Sequence, residues 1–233
     1  MPLIKGIQKT TLVDFPGKIA ATIFTAGCNF RCVFCHNTAL VDNQGDLPAI
    51  DPDELLKYLR GRTKQLDGVC ISGGEPTLHA DLPEFIRKIK KIGYAVKLDS
   101  NGTNPDMLRE LLAAKLLDYV AMDIKGPLEL YPQIVNTEVD AEKITESIEL
   151  IMQSGVPYEF RTTVLPAFLD EENFVKVAGL INGANCYYLQ QFHAGEHLLN
   201  PDYQQSESYS AGQLNLFARK FEPFVKKVAV RGA

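Results

Sequence analysis

Short apolar runs alternate with amphipathic segments along most of this chain. Side chains such as Leu82, Phe85, Ile86 and Ile89 recur at the spacing of a helix that covers one face of a sheet. Six runs are typical of buried strands, at 19–24, 68–71, 95–98, 119–122, 158–164 and 186–191. This alternation predicts an α/β fold in which parallel strands are joined by right-handed helical crossovers.

Helix start signals agree with this pattern. Asp51, Pro52 and Glu54 combine an N-cap carboxylate, a proline at the first helical position and a nearby acid. Asn104 followed by Pro105 predicts a second such start. Helical spacing also occurs at 144–151, 174–181 and 211–221, and a last strand is predicted at 226–231, at the sheet edge.

The six strand–helix units are fewer than the eight that close a full barrel of about 250 residues. The predicted fold is therefore a partial (β/α)6 barrel, which curves without closing and leaves a lateral opening. No repeat or low-complexity tract divides the chain, so residues 1–233 are predicted to form a single domain. The polar stretch 196–210 is predicted to be a loop before the last helix.

Composition and charge narrow the function classes. The chain has 233 residues, 45% hydrophobic and 23% charged, which excludes disordered, collagen-like and coiled-coil proteins. A net charge of −5 argues against nucleic acid as the main partner. No segment approaches the ~20 apolar residues that a membrane span needs, and charged residues such as Lys5 and Asp14 interrupt any signal peptide. We expect a cytoplasmic protein with no membrane or nucleic-acid partner.

Three of the five cysteines form a tight cluster. Cys28, Cys32 and Cys35 have the spacing C-x3-C-x2-C, whereas Cys70 and Cys186 lie in the apolar runs of predicted strands. An odd count with one cluster indicates reduced thiols rather than a disulfide framework. Thiolates bind soft metals and iron–sulfur clusters, and three ligands would leave one iron of a cubane without a protein ligand.

Simpler interpretations of these cysteines stay open at this point. Cys32 and Cys35 alone could be a thioredoxin-like pair, but that leaves Cys28 without a role. The three cysteines with His36 could form a structural zinc site. Cys70 and Cys186 are predicted to be buried small hydrophobic residues.

Polar and reactive residues follow the predicted strands repeatedly. In parallel α/β folds the carboxyl ends of the strands meet on one side, where active sites lie. We therefore expect these residues to converge on one mouth. They are the stretches 28–37, 72–76, 99–102, 123–126 and 190–193, with Arg161 inside the fifth strand.

Two of these motifs together identify a family resemblance. The segment Cys28–Cys35, with Phe34 just before the last cysteine, resembles the cysteine motif of the radical S-adenosylmethionine superfamily. Gly73-Gly74-Glu75-Pro76 resembles the methionine-binding motif of the same superfamily. The resemblance implies the radical S-adenosylmethionine fold, a form of partial barrel.

Other stretches resemble one branch of that superfamily, the activating enzymes of glycyl radical enzymes. These are Thr11–Gly17, with the sequence TLVDFPG, and the run Cys35-His36-Asn37. The stretch 9–37 is most similar to activators of the anaerobic (class III) ribonucleoside-triphosphate reductase. The stretches 99–102, 123–125 and 192–193 also resemble the pyruvate formate-lyase activating enzyme.

The resemblance implies roles for individual residues. Cys28, Cys32 and Cys35 would hold one [4Fe-4S] cluster, since residues 38–69 contain no cysteine for a second. The iron without a protein ligand would bind S-adenosyl-L-methionine. Gly73, Gly74 and Glu75 would position its methionine ammonium group, and Phe34 would contact its adenine. Contacts with the cofactor or a nearby cation are implied for Asp99, Ser100, Asp123, Lys125 and His193, with Lys125 and His193 also implied as catalytic.

The implied function is generation of a glycyl radical on a partner enzyme after reductive cleavage of S-adenosyl-L-methionine. The implied partner is the anaerobic ribonucleoside-triphosphate reductase, with a low-potential electron donor such as flavodoxin. One alternative keeps this chemistry for a pyruvate formate-lyase type enzyme or a small-molecule substrate. A structural or electron-carrier module with zinc or iron–sulfur would leave Gly73–Glu75 without a purpose.

Overall fold

A computed structural model describes residues 1–41 and 47–232 of the chain. The strands are Ile4–Thr11 (β1), Ala20–Thr25 (β2), Gly68–Gly73 (β3), Ala95–Ser100 (β4), Tyr119–Asp123 (β5), Tyr158–Val164 (β6), Tyr187–Gln191 (β7) and Val228–Arg231 (β8). The helices are Thr38–Val41 (α1), Pro52–Arg60 (α2), Leu82–Ile92 (α3), Pro105–Ala113 (α4), Tyr131–Val135 (α5), Ala141–Gln153 (α6), Glu171–Leu180 (α7) and Ala211–Phe221 (α8).

One sheet contains all eight of these strands in the order β1 to β8. The strands from β2 to β8 are parallel, and β1 pairs antiparallel with β2. Pairing runs only between sequence neighbours in the described residues, so the sheet does not close on itself. The predicted α/β partial barrel is confirmed.

The strands differ from the prediction in two places. The strand β1 was not predicted, because its middle residues Gln8, Lys9 and Thr10 are polar and exposed, so it has no apolar run. Cys186 lies just before β7 and is only partly buried, so it is not an interior strand residue. The predicted last strand is present as β8.

The helices begin where the sequence predicted, because side chains at these positions accept hydrogen bonds from N–H groups of the first helical turn. Asp51 accepts hydrogen bonds from the backbone N–H groups of Asp53 and Glu54 at the start of α2. Asn104 accepts one from Met107 at the start of α4. The helices bury their apolar faces on the sheet, as Phe85, Ile86 and Ile89 of α3 do. No helix within the described ranges is both long and apolar enough to cross a lipid bilayer.

The loop between β1 and β2 closes the amino-terminal end of the barrel. Phe15 in this loop is 2% exposed, and its ring centroid lies 6.1 Å from that of Tyr119 at the start of β5. A Cβ on Gly68, at the start of β3, would come within 3.0 Å of the Phe15 ring. Asp14 Oδ2 anchors the loop by accepting a hydrogen bond from Thr22 Oγ1 on β2, at 2.6 Å. Phe15 therefore forms a floor beneath the strands.

Candidate active site

A cavity of about 260 Å³ opens at the carboxyl ends of the parallel strands. It lies where the strand-end stretches were predicted to converge. The residues that line it are Cys28, Phe30, Cys32, Cys35, Asn37, Val41, Ser72, Gly73, Gly74, Glu75, Asp99, Ser100, Asn101, Asp123, Lys125, Arg161 and Gln190.

The loop that carries the three cysteines follows β2 and is held by backbone hydrogen bonds to two short helices. Cys28 N donates to Val41 O of α1 at 3.2 Å. Arg31 N donates to Val135 O of α5 at 2.8 Å, and Val33 N donates to Ile134 O at 3.0 Å. These contacts fix the loop from Cys28 to Val33.

A second support for the cysteine loop comes from the segment after β7. Leu199 N donates to Cys35 O at 3.0 Å, and Asn200 N donates to Val33 O at 3.3 Å. The ring of His36 lies with Nε2 3.0 Å from His193 O. The predicted loop at 196–210 therefore braces the cysteine loop through Leu199 and Asn200, and His36 contacts the chain just before that loop.

The three thiols fit a cluster ligand set. Cys32 is buried, and Cys28 and Cys35 are partly buried. Burial raises the pKa of all three thiols, that of Cys28 to about 12, and bonding to iron would oppose this rise by stabilising the thiolates. In the described residues no three His, Cys, Asp or Glu side chains converge enough to hold one metal ion. A [4Fe-4S] cluster is bound through separate irons, so its ligands need not converge in that way.

Gly73 and Gly74 allow β3 to approach the start of the cysteine loop. Gly73 has φ +113°, and a Cβ there would lie 2.5 Å from Thr25 N. A Cβ on Gly74 would lie 2.0 Å from Gly27 O. Gly74 N and Glu75 N donate to Thr25 O and Gly27 O, each at 2.8 Å. The glycine pair therefore fixes the Gly-Gly-Glu motif directly beside the cysteine loop.

Glu75 is 1% exposed and joins the ends of β3 and β4. Its Oε1 accepts hydrogen bonds from Thr77 N at 3.1 Å, from Thr77 Oγ1 at 2.6 Å and from Ser100 Oγ at 2.9 Å. Its Oε2 accepts one from Asn101 N at 2.6 Å. Burial raises the pKa of Glu75, although these hydrogen bonds oppose the rise. The side chain predicted to meet an ammonium group thus also holds two loops together.

A chain of alternating charges crosses the floor of the cavity. Arg161 on β6 joins the two carboxylates: its Nε lies 2.8 Å from Asp123 Oδ1, and its Nη1 lies 3.4 Å from Asp99 Oδ2. Lys125 Nζ lies 3.0 Å from Asp123 Oδ2, and Lys97 Nζ contacts Asp99 Oδ1. Each carboxylate therefore has two cationic partners.

These pairings decide the charge states. Burial alone would raise the pKa of Asp99 and Asp123, but Arg161 and the lysines outweigh it and hold both pKa values below their usual range. Burial opposes the charge of Lys125, but Asp123 outweighs it and raises the pKa of Lys125. The floor therefore offers fixed charges to a zwitterionic ligand.

Two predicted site residues do not line the cavity. Phe34 is buried in the core, and Lys125 Nζ lies 5.9 Å from its ring centroid. His193 is exposed, because Phe192 before it turns into the core and carries the following residue to the outer surface. The other predicted residues come together: Cys28, Cys32, Cys35, Gly73, Gly74, Glu75, Asp99, Ser100, Asp123 and Lys125.

Several residues of the site were given no individual role from the sequence. Asn37, Asn101 and Gln190 line the cavity, and each lies in a stretch that was predicted to converge there. Lys97 is 1% exposed on β4, where it interrupts an apolar run, and it was given no role from the sequence. Cys70 is buried as predicted, but Lys97 Nζ lies 3.7 Å from its Sγ, so its surroundings are not wholly apolar. A polar residue inside an otherwise apolar strand was the available signal.

Comparison with known proteins gives relatives that cover most of the chain. "Putative glycyl-radical enzyme activating enzyme MJ1227" of Methanocaldococcus jannaschii is 36% identical over 205 residues, covering 82% of this chain and 80% of that relative. "Pyruvate formate-lyase-activating enzyme" of Clostridium pasteurianum is 30% identical over 190 residues, covering 78% and 76%. "Probable GTP 3',8-cyclase" of Sulfolobus acidocaldarius is 32% identical and covers 72% of this chain but only 52% of its own length.

Solved structures share the fold at low sequence identity. Streptococcus suis SuiB matches with a TM-score of 0.66 at 14% identity, covering 89% of this chain and 48% of SuiB. A domain of a pyruvate-formate lyase-activating enzyme from Bacteroides vulgatus matches with a TM-score of 0.57 at 17% identity, covering 71% of this chain and 99% of that domain.

The family model of the radical SAM superfamily matches residues 22–181, which include the cysteine loop, the Gly-Gly-Glu motif and both strand-end aspartates. A [4Fe-4S] cluster and S-adenosyl-L-methionine are the cofactors of this superfamily, and the donor set described above fits both. The chain therefore belongs to the radical SAM superfamily of enzymes.

Proposed function

We propose that this enzyme generates a glycyl radical on a partner enzyme, with S-adenosyl-L-methionine as co-substrate. The observation that carries the proposal is the convergence of three thiols, the Gly-Gly-Glu motif and the strand-end charges on one cavity. Two relatives named as activating enzymes are matched over 80% and 76% of their lengths, so little of either lies outside the alignment.

The residues of this chain would hold and orient the cofactors. Cys28, Cys32 and Cys35 would bind the cluster. When bound, the cluster and S-adenosyl-L-methionine together supply one-electron cleavage of a carbon–sulfur bond and hydrogen-atom abstraction from a glycine. Glu75, through Oε2, would face the methionine ammonium, and Lys125 would face its carboxylate.

Burial and fixed hydrogen bonds limit movement of these groups. Glu75 has four donors and Asp123 has two cations, so neither reorganises when a ligand arrives. The cavity opens at the strand ends, which suits a protein loop entering from outside. A closed site excludes competing hydrogen donors once that loop is bound.

The anaerobic ribonucleoside-triphosphate reductase is the partner that we propose. The support is the similarity of residues 9–37 to activators of that enzyme. A flavodoxin-like donor would supply the electron, since cleavage needs the low end of the iron–sulfur potential range, about −700 to +450 mV.

Two alternatives share the same site. The Clostridium relative supports a pyruvate formate-lyase type partner. The GTP 3',8-cyclase relative supports a small-molecule substrate, but this chain spans about half of that relative, 52%. The shorter overlap leaves the activase proposal favoured.

The test starts with anaerobic reconstitution with iron and sulfide, followed by reduction. Addition of S-adenosyl-L-methionine should then yield methionine and 5′-deoxyadenosine. Cys32→Ala should abolish both cluster and product, whereas the matched variant Cys186→Ala, outside the cavity, should retain both. Lack of product from the wild-type enzyme with an intact cluster would exclude radical chemistry.

The partner is tested separately by electron paramagnetic resonance. The reduced enzyme, S-adenosyl-L-methionine and the purified reductase should give a glycyl radical doublet on the reductase. Pyruvate formate-lyase and GTP are run in parallel. A radical on pyruvate formate-lyase alone would identify that enzyme as the partner in place of the reductase. Consumption of GTP would identify a small-molecule substrate instead.

A further inference from the structure

A ring of side-chain hydrogen bonds joins the cysteine loop to the loop after β4. Asn29 follows the first cysteine, and its Nδ2 donates to Thr103 Oγ1 at 2.9 Å. Thr103 Oγ1 donates to Asn101 Oδ1 at 2.7 Å, and Asn101 Nδ2 donates back to Asn29 Oδ1 at 2.9 Å. The three side chains thus form a closed circuit, called here the Asn29–Asn101–Thr103 ring.

A backbone group sets the polarity of this ring. Thr103 N donates to Asn101 Oδ1 at 3.0 Å, so the Asn101 amide must present its oxygen to Thr103 and its nitrogen to Asn29. Asn29 must then present its oxygen to Asn101, since the reverse orientation would oppose two donors. Only one arrangement of both amides satisfies every donor, which makes the ring a specific connection rather than an adaptable polar contact.

The ring is also connected to the Gly-Gly-Glu motif. Asn101 N donates to Glu75 Oε2 at 2.6 Å, and Asn101 is itself 6% exposed and lines the cavity. Hydrogen bonds therefore run without interruption from the residue after Cys28, through Asn101, to the carboxylate proposed to face the methionine ammonium. Neither the motifs nor the family match assigns a role to Asn29.

We propose that Asn29 and Asn101 are positioning residues that set the geometry between the cysteine loop and the groups that hold S-adenosyl-L-methionine. This inference rests on the proposed function, because it requires both cofactors to share the cavity. One-electron transfer to a bound sulfonium depends on distance and orientation, and misplacement by about 1 Å can cost an enzyme about 10²-fold. The ring connects the two sides of that junction.

The test uses the reconstituted enzyme with Asn29→Ala, Asn101→Ala, the double variant and Thr103→Val. Thr103→Val keeps the backbone N–H and the branched shape but loses the hydroxyl, and it lies outside the cysteine loop. Asn215→Ala, on the exposed face of α8, is the matched control. Iron content, affinity for S-adenosyl-L-methionine and the spectral change of the reduced cluster on its addition are measured.

Asn29→Ala should keep its iron but bind S-adenosyl-L-methionine about tenfold more weakly, as expected from loss of one to two hydrogen bonds. The electron paramagnetic resonance change on ligand addition should be altered in shape. The double variant should lose little more than either single variant, because both break the same ring. Asn215→Ala should match the wild type.

Wild-type affinity and an unaltered spectral change in both Asn29→Ala and Thr103→Val would overturn the inference. Additive losses in the double variant would also overturn it. If Asn29→Ala loses iron, the affinity of Thr103→Val for S-adenosyl-L-methionine decides whether the inference stands. Failure of the wild-type enzyme to bind S-adenosyl-L-methionine or to form 5′-deoxyadenosine would instead refute the proposed function, so the two failures are distinguishable.

Discussion

Arg161 contacts both carboxylates of the cavity floor, and its removal should destabilise the fold. Arg161→Met keeps much of the side-chain length but leaves Asp99 with Lys97 and Asp123 with Lys125. Removing one partner of a buried ion pair costs about 3–5 kcal/mol. Because each aspartate keeps one lysine, we expect the low end, about 3 kcal/mol at pH 7.

The assay is urea unfolding of the cluster-free protein under reducing conditions, followed by circular dichroism. Arg109→Met is the matched control, because Arg109 also contacts two carboxylates, Asp106 and Glu146. That arginine is 47% exposed, against 13% for Arg161. The control should change the unfolding midpoint little, since solvent screens exposed pairs. Equal effects of the two variants would refute the burial argument.

The pH dependence provides a second check on the same reasoning. The pKa values of Asp99 and Asp123 are lowered in the folded protein, so their stabilisation is complete above the unfolded value of about 3.9 and is lost as pH falls through the folded values. In Arg161→Met the pKa values rise, so this loss at low pH shrinks. The difference in stability between variant and wild type should therefore stay constant from pH 7 to about pH 5 and decrease as pH falls below the unfolded value of about 3.9. A difference that stays constant below that pH would contradict the assigned charges.

Three further variants test other parts of the structure. Glu75→Gln should cost about 1–3 kcal/mol of unfolding free energy, because an amide nitrogen would face one of four donors; an unchanged urea midpoint would contradict this. Phe15→Ala should cost about 3–5 kcal/mol in the same assay, whereas Leu12→Ser, at a side chain 73% exposed, should cost little. Gly74→Ala should prevent cluster retention, since its Cβ would lie 2.0 Å from Gly27 O; wild-type iron content would show that the two backbones can separate.

Strands of the sheet could be predicted only where buried positions give an apolar run in the sequence. The parallel strands have such runs, and the residues at their carboxyl ends meet at one cavity, as the fold requires. The strand β1 escaped prediction because it is a partly exposed edge strand with polar residues. The helices α1 and α5 have 4 and 5 residues, too few to show a helical period.

Within the site, the sequence identified candidate residues but not the direction in which their side chains point. Phe34 and Cys35 are adjacent, yet the phenyl ring faces the core while the thiol lines the cavity. His193 lies outside because Phe192 takes the inward position. Asn29 lay in a stretch predicted to reach the mouth, but its hydrogen-bond partners gave no signal, since they are 72 and 74 residues away along the chain. Contacts over such separations depend on the assembled barrel.

Phe15 comes from a connecting loop and not from a strand, although it forms the floor of the barrel. The amino-terminal end of the barrel is therefore closed by a side chain that takes no part in the hydrogen-bond ladder of the sheet. Phe15 does not line the cavity at the carboxyl ends of the strands, whose floor contains Asp99, Asp123 and Arg161. The two ends of the barrel are thus built from separate sets of residues, so the packing beneath the strands could vary while the cysteine loop stays unchanged.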